Sequence, residues 1–207
     1  MSLRAWAKEH LPYPVVTALA RAGARPFLEQ ESRCERIVEY AWVMRFLEGT
    51  RFLDFGYAGS YFPAMLSAFG SVDGVDLRQT PRDLSQCPRF KHYREIPVGA
   101  QYDTIVCVSV LEHHLDVRYW IRRFFEHLAP NGQMLLTFPT GPGQVFKGYR
   151  EVTRRELPSH AQWTVVDWQG PNTEHRVSRL ALVQLRHPAA APQPTWRSDP
   201  TLGSESE

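Results

Sequence analysis

The sequence has few cysteines and no long apolar run. Cys34, Cys87 and Cys107 lie far apart and form no C-x-x-C pair, a pattern that favours neither a disulfide framework nor a zinc site and is typical of reduced thiols. No stretch approaches the roughly 18 apolar residues of a membrane-spanning helix. Charged side chains occupy the first ten residues, where a signal peptide has its apolar core. We therefore expect a cytoplasmic protein that has no membrane partner.

Lysine is also scarce, since only Lys8, Lys91 and Lys147 are present, and the net charge is +2. The arginines are scattered and form no basic arm, which makes nucleic acid an unfavoured partner. A chain of 207 residues with 43% hydrophobic and 12% aromatic residues is long enough to bury a substantial core. These features do not indicate the oligomeric state.

Three regions differ in composition. Residues 1–48 resemble a helical extension or lid, and residues 49–186 carry the strand and helix patterns of one domain. Residues 187–207 are rich in proline, serine and glutamate, so we expect them to be disordered.

The most informative stretch runs from Arg51 to Tyr61. Its apolar first half predicts a buried strand, and Gly56 and Gly59 then predict a turn before a helix. A second apolar run, residues 72–77, contains Asp76 near its end. Turns outside the carboxyl ends of central strands are where open α/β sheets bind nucleotide-like ligands.

Strands alternate with helices along the chain, which predicts a mostly parallel sheet covered on both faces. We expect strands near residues 52–55, 71–76, 90–96, 102–110, 133–138, 163–168 and 177–186. We expect helices at 29–47, 61–69 and 115–128, with shorter ones at 81–86 and 153–157. No helix fits between the last two strands, so they should form an antiparallel hairpin. The predicted fold is a Rossmann-like, doubly wound α/β sheet.

Four segments follow one another in the order and spacing of a known family. They are Leu53-Asp-Phe-Gly-Tyr-Ala-Gly, Gly74-Val-Asp-Leu, Tyr102-Asp-Thr-Ile-Val-Cys-Val-Ser-Val-Leu-Glu-His and Leu128-Ala-Pro-Asn-Gly-Gln-Met-Leu-Leu-Thr-Phe-Pro. The chain resembles the class I S-adenosylmethionine-dependent methyltransferases of the small, single-domain type. The resemblance covers roughly residues 50 to 185. It implies seven strands, the last of them antiparallel, and S-adenosylmethionine as the cofactor.

The resemblance also implies which residues bind the methyl donor. Asp54 and the turn at Gly56 would hold the methionine part, Asp76 would accept from the ribose hydroxyls and Leu77 would lie on the adenine. Glu95 would reach the adenine amine, although a solvated glutamate on a loop is an equal alternative. The other expected donor-binding residues are Tyr57, Ala58, Ser60 and Ser109.

The residue types fit these roles, with one departure in the turn. A residue without a side chain lets the backbone approach a ligand, and a carboxylate can accept from two hydroxyls. The family prefers glycine at Ala58 and Ser60, but both side chains are small. A dinucleotide-binding turn that started at Gly56 would need glycine at Ala58 and at Tyr61, so this alternative is disfavoured.

Two histidines follow the fourth strand directly. His113 and His114 are candidates for the base that takes a proton from an acceptor hydroxyl. Alternatively, one histidine packs under the donor and the other caps the next helix. The small-RNA 2′-O-methyltransferases carry Glu-x-x-Glu-His here and hold a divalent ion. This chain has Ser109 at the first glutamate, so no metal is expected.

Acceptor recognition is expected after the fifth strand. Tyr149 and Arg150 are the candidates, since arginine binds carboxylate or phosphate in a bidentate manner, and the acceptor would then carry negative charge. Arg154 and Arg155 are better explained by a solvated face with Glu151 and Glu156 as partners.

The helix before the first strand has an apolar stripe and a polar face that includes Arg36 and Glu39. Arg36, Glu39, Tyr40 or Trp42 would contact the donor if this helix closes over it. The simpler interpretation assigns its apolar stripe to the core.

The sequence therefore predicts a methyltransferase that acts by in-line displacement at the sulfonium methyl, with the protein holding the reactants in geometry and excluding water. Oxygen of a sugar or another small molecule is the favoured acceptor. The alternatives are an RNA or protein methyltransferase and a non-catalytic binding subunit of the same fold.

Overall fold

The computed structural model describes residues 36–78, 84, 87–113, 116–140, 150–167 and 179–187. The predicted N-terminal extension up to residue 35, the predicted helix at 81–86 except residue 84, and the C-terminal tail from residue 188 lie outside these residues. In the described part of the chain, no helix is long and apolar enough to span a bilayer.

Seven strands form one sheet, as the sequence predicts. They are β1 (Arg51–Phe55), β2 (Ser71–Val75), β3 (Phe90–Tyr93), β4 (Tyr102–Val108), β5 (Leu128–Pro139), β6 (Gln162–Asp167) and β7 (Arg179–Arg186). Their order in the sheet is β3-β2-β1-β4-β5-β7-β6. The strands β1 to β5 pair in parallel, whereas β7 is antiparallel to both β5 and β6. The Rossmann-like fold and the antiparallel terminal hairpin are both confirmed.

Three α-helices accompany the described strands: α1 (Arg36–Phe46), α2 (Phe62–Ser67) and α3 (Val117–Glu126). Alternate residues of β1 contribute to two separate apolar clusters, because successive side chains of a strand point to opposite faces. Phe52 packs with side chains of α1 and α2, and Leu53 packs with side chains of α3. The helices therefore cover both faces of the sheet.

Local details differ from the sequence-based expectations. The predicted helix at 153–157 is a single 3₁₀ turn, Arg154–Glu156. The strand predicted at 133–138 begins earlier, at Leu128. Leu128 pairs with Tyr102 and Gln133 pairs with Thr104, so the residues between Leu128 and Gln133 bulge out. Asn131 takes a left-handed φ of 64° there, which asparagine tolerates better than most residues.

Glu39, which the sequence places on the polar face of α1, is not exposed. Its side chain is fully buried, with two hydroxyls and the guanidinium of Arg36 as partners. A pattern of polar and apolar residues cannot reveal this burial, because a carboxylate becomes tolerable in the interior only when distant segments supply partners.

Candidate functional site

Asp54 lies near the carboxyl end of β1, an interior strand of the sheet, and is only 2% exposed. Burial, and secondly the charge of Asp76, raise the pKa of the Asp54 carboxyl to about 8. Its Oδ2 atom is buried and has no hydrogen-bond partner among the residues that the structure describes. Since a buried polar atom without a partner is unfavourable, Asp54 is suited to pair with a group of a ligand.

Gly56 turns the chain away from β1 immediately afterwards. Its φ is +77°, and its N–H donates to the carbonyl of Val75 over 2.8 Å. A Cβ atom at this position would lie 2.4 Å from Cγ2 of Val110. Both the backbone conformation and the close approach of Val110 therefore require glycine here.

The turn after Gly56 is held by Asp76, which follows β2. The Ala58 N–H donates to Asp76 Oδ2 over 2.7 Å, and the Arg78 N–H donates to Asp76 Oδ1 over 2.7 Å. Each carboxylate oxygen accepts one of these bonds and can accept another. Asp76 thus shapes the turn and still has acceptor capacity for two neighbouring hydroxyls.

The Tyr57 side chain fixes the same turn from the other side. It is buried, its hydroxyl is hydrogen bonded to His92 Nδ1 over 2.7 Å, and its ring meets Phe90 edge to face. Both partners lie on β3. Because the ring points into the protein, the predicted contact of Tyr57 with a donor would have to come from its backbone.

Two adjoining cavities open at this edge of the sheet and share Gly56, Asp76, Arg78 and Val110 as lining residues. We call the larger one, of about 670 Å³, the apolar lobe. We call the smaller one, of about 430 Å³, the polar lobe. The carboxyl end of β1 therefore divides one cleft into two chemically different parts.

The apolar lobe is rimmed by exposed apolar side chains. Leu77 is 81% exposed and Val98 is fully exposed, while Ile96 and Trp120 form deeper parts of the lining. The Trp120 ring lies against Phe55 with centroids 4.6 Å apart. Exposed apolar groups around a cavity are typical of a surface that a ligand covers. The remaining lining residues are Phe55, Val75, Arg94, Glu95, Tyr119 and Arg123.

The polar lobe carries charged groups of both signs. Asp54 and the guanidinium-bearing Arg36 both line it. Arg36 Nη1 donates to Glu39 Oε2 over 3.0 Å, so a buried carboxylate outside the lining holds the Arg36 side chain. The other lining residues are Tyr40, Tyr57, Ala58, Ser60, Phe62, Val108, Ser109 and His113. A zwitterionic ligand group matches this pairing of an acid with an arginine.

His113 lies in the 3₁₀ turn Leu111–His113 that follows β4, and its side chain is exposed. Partial burial, then the positive charges of Arg36 and Arg78, lower the pKa of the His113 imidazole. These effects favour the neutral ring, which can accept a proton. His114 lies outside the described residues.

The structure brings most of the predicted site residues to this cleft. Ten of them line the two lobes. Eight line the polar lobe: Asp54, Gly56, Tyr57, Ala58, Ser60, Asp76, Ser109 and His113. Leu77 and Glu95 line the apolar lobe, which Gly56 and Asp76 also line. Their roles in binding and catalysis stay predictions.

The predicted acceptor residues are not brought to the cleft by the described part of the chain. Tyr149 lies outside it. Arg150 forms an ion pair with Glu156 over 2.6 Å, and its N–H donates to the Glu112 carbonyl. Arg154 donates to the backbone carbonyls of Pro158, Ser159 and Ala161, which gives this arginine a structural role.

Several lining residues were missed by the sequence interpretation. Ile96 and Val98 follow β3 in a loop without a recognisable motif. Trp120 belongs to the apolar stripe of α3 and packs against the core, but it also lines the apolar lobe. The exposed apolar Val98 is a weak signal, because single exposed apolar residues are common on protein surfaces.

Comparison with known proteins shows the family to which the chain belongs. A family model described as a methyltransferase domain matches residues 8–187. The chain therefore belongs to this methyltransferase family, and the predicted family is confirmed.

The curated relatives match part of the chain only. The ubiquinone biosynthesis O-methyltransferase of Pseudomonas fluorescens (strain Pf0-1) is 29% identical over 104 residues, which are 44% of this chain and 45% of that protein. The alignment thus spans less than half of the relative's length.

Solved structures share the fold over most of the chain. The 1,6-didemethyltoxoflavin-N1-methyltransferase of Burkholderia thailandensis, with its acceptor and S-adenosylhomocysteine bound, has a TM-score of 0.59 and 20% identity, covering 84% of this chain and 88% of that one. The N-methyltransferase NodS of Bradyrhizobium japonicum WM9 has a TM-score of 0.56 and 17% identity, covering 78% and 96%. At these identities the likeness concerns the fold.

Proposed function

We propose that this chain is an S-adenosylmethionine-dependent methyltransferase that acts on a small-molecule acceptor. The observation that carries the proposal is the divided cleft at Gly56, because the donor has the same two chemically different parts. Its adenosine is uncharged and carries a flat base, whereas its methionine end carries an ammonium and a carboxylate.

The adenosine fits the apolar lobe. Leu77 and Val98 offer exposed apolar surface to the base, and Asp76 accepts from both ribose hydroxyls. The glutamate at position 95 lines the same lobe and is our candidate for the adenine amine.

The methionine end fits the polar lobe. Its ammonium pairs with Asp54, whose Oδ2 has no other partner in the described structure, and its carboxylate pairs with Arg36. When bound, the donor supplies an electrophilic methyl group. The chain's own contribution is to orient the donor across Gly56 and to keep water from the reacting groups.

His113 is our candidate for the group that accepts the acceptor's proton. It lines the polar lobe, and its neutral form is favoured by partial burial and by the charges of Arg36 and Arg78. An oxygen acceptor, as in the ubiquinone-biosynthesis relative, needs such a base when its hydroxyl is weakly acidic. Both the curated relative and the toxoflavin enzyme are named for reactions on small molecules, which supports this acceptor class.

Titration calorimetry with S-adenosylmethionine tests the donor, and release of S-adenosylhomocysteine in the presence of phenolic, sugar and amine acceptors tests the reaction. We expect saturable donor binding and turnover with a small hydroxylated acceptor. Absence of heat and of a thermal shift at millimolar donor would overturn the proposal. If the protein binds the donor but turns over only with RNA or protein, the proposed small-molecule acceptor class is wrong.

A further inference from the structure

Glu39 connects three distant parts of the protein although it takes no part in the cleft lining. Its Oε1 atom accepts from Ser109 Oγ and from Thr137 Oγ1, each over 2.6 Å. Its Oε2 atom accepts from Arg36 Nη1 over 3.0 Å. The side chain is 0% exposed. One carboxylate therefore joins α1 to the carboxyl ends of β4 and β5.

The two hydroxyl donors lie at the edge of the sheet where the cleft opens. Ser109 follows β4 with a left-handed φ of 48°, and its N–H donates to the Thr137 carbonyl over 2.8 Å. Such a conformation is unfavourable for serine and persists only where the surroundings fix it. The bond to Glu39 contributes to fixing it.

Arg36 is the part of this arrangement that reaches the cleft. It lines the polar lobe, and its Nη1 atom lies 3.4 Å from the Val108 carbonyl in addition to its bond with Glu39. An arginine side chain has four flexible torsions, and holding it in one place costs conformational entropy. Because Glu39 already orders the Arg36 side chain in the free protein, ligand binding does not have to supply that entropy cost.

We propose that Glu39 is a positioning residue for donor binding, which orients Arg36 toward the donor's carboxylate and fixes α1 over the polar lobe. This inference rests on the proposed function. A simpler role, in which Glu39 only stabilises the packing of α1, predicts that its loss weakens all ligands of the cleft alike.

A substitution and a ligand pair separate the two roles. In Glu39→Gln, the amide oxygen can still accept from Ser109 and Thr137, but the amide N–H₂ faces the Arg36 guanidinium and both groups are donors. The packing of α1 is kept while Arg36 loses its ion pair with residue 39. The ligands are S-adenosylhomocysteine and its decarboxylated form, which differ only in the carboxylate.

We expect Glu39→Gln to raise the Kd of S-adenosylhomocysteine about tenfold and to change that of the decarboxylated ligand less than about twofold. Arg36→Met should raise the ratio of the Kd of S-adenosylhomocysteine to that of the decarboxylated ligand to the same extent, and the double variant should show no further loss. Thr137→Val is the matched control, because it removes one bond of Glu39 without touching Arg36. It should lower Tm and preserve the ratio.

An equal loss for both ligands in Glu39→Gln, or a wild-type ratio in Arg36→Met, overturns the inference. If Glu39→Gln does not fold, Glu39→Asp takes its place, since it keeps the charge but shortens the reach to Arg36, and an unchanged ratio again overturns the inference. Failure of the wild-type protein to bind either ligand contradicts the proposed function instead, so the two failures are distinct.

Discussion

The N–H of Ala58 donates to Oδ2 of Asp76 over 2.7 Å, so the turn after β1 and the acid after β2 form one unit. These residues are 18 positions apart in the chain but meet because β1 and β2 are parallel neighbours. The acid proposed to bind the ribose therefore also shapes the turn proposed to bind the rest of the donor.

Asp76→Ala is expected to weaken donor binding more than one lost ligand contact would. It removes the acceptor for the ribose and the bond that holds the turn, so the Kd of S-adenosylhomocysteine should rise by well over about tenfold. The matched control is Asp73→Ala on β2, since Asp73 accepts from the Tyr102 hydroxyl over 2.9 Å and lines neither lobe. It should lower Tm with donor affinity retained. Equal affinities of the two variants would contradict the assignment.

Ala58→Gly is expected to stabilise the protein. Ala58 has a φ of 52°, which costs about 1–2 kcal/mol for a residue with a Cβ, while the greater freedom of glycine in the unfolded chain offsets about 0.4–1 kcal/mol. The free energy of unfolding should rise by about 0.5–1 kcal/mol in urea titrations. The same change in helix α2, Ala64→Gly, should lower it by about 1 kcal/mol. Destabilisation by Ala58→Gly would mean that the turn gains from the alanine methyl.

The sequence predicts the sheet and the donor-binding turn better than it predicts the walls of the cleft. Asp54, Gly56 and Asp76 stand next to strand ends, and strand ends are visible as apolar runs closed by turn residues. Val98 and Trp120 reach the apolar lobe only because the loop after β3 and helix α3 fold back over β1. The burial of Glu39 depends on hydrogen bonds from Ser109 and Thr137, which lie 70 and 98 positions away in the chain. Contacts over such distances leave no local periodic signal.

Donor binding at pH 7 is expected to release about one proton. The Asp54 carboxyl has a pKa of about 8 in the ligand-free protein and is mostly protonated at pH 7. The donor's α-amino group is mostly charged at that pH, because its ordinary pKa is about 7.7–8.0. An ion pair between them therefore requires Asp54 to lose its proton. Calorimetry in buffers of different ionisation enthalpy measures this number.

Asp54→Asn is the matched variant for that experiment, because it keeps the size of the side chain and cannot ionise. In this variant donor binding should release no proton, and the donor affinity should fall. From pH 5 to pH 7 the wild-type affinity should rise about tenfold per pH unit, and that of Asp54→Asn should stay flat. Proton release that persists in the variant would assign it to another group.

At saturating donor, the pH dependence of kcat/KM for the acceptor should report His113. Burial and the charges of Arg36 and Arg78 lower the pKa of this imidazole from 6.5, so the loss of activity on acidification should begin below pH 6.5. His113→Gln should lower kcat by about 10²-fold or more and remove this acid limb. A wild-type profile in His113→Gln would exclude His113 as the base.

Arg78→Gln should move the acid limb of the same profile to higher pH. Removing a nearby positive charge makes protonation of His113 easier, which raises its pKa and costs activity at mildly acidic pH. Arg94→Gln is the control, since Arg94 lines the apolar lobe and is not among the charges that act on His113. An unshifted limb in Arg78→Gln would assign the limb to another titrating group.

The position of β7 between β5 and β6 has a consequence for how the protein is made. Synthesis delivers β6 before β7, so a growing chain carries β6 with no neighbour to join and β5 with an open edge. Open edges invite pairing with other chains, and parallel sheets with distant partners fold slowly. We expect ribosome-bound chains that end before residue 179 to be protease-sensitive and to recruit chaperones. The sheet should be completed only when β7 inserts between β5 and β6.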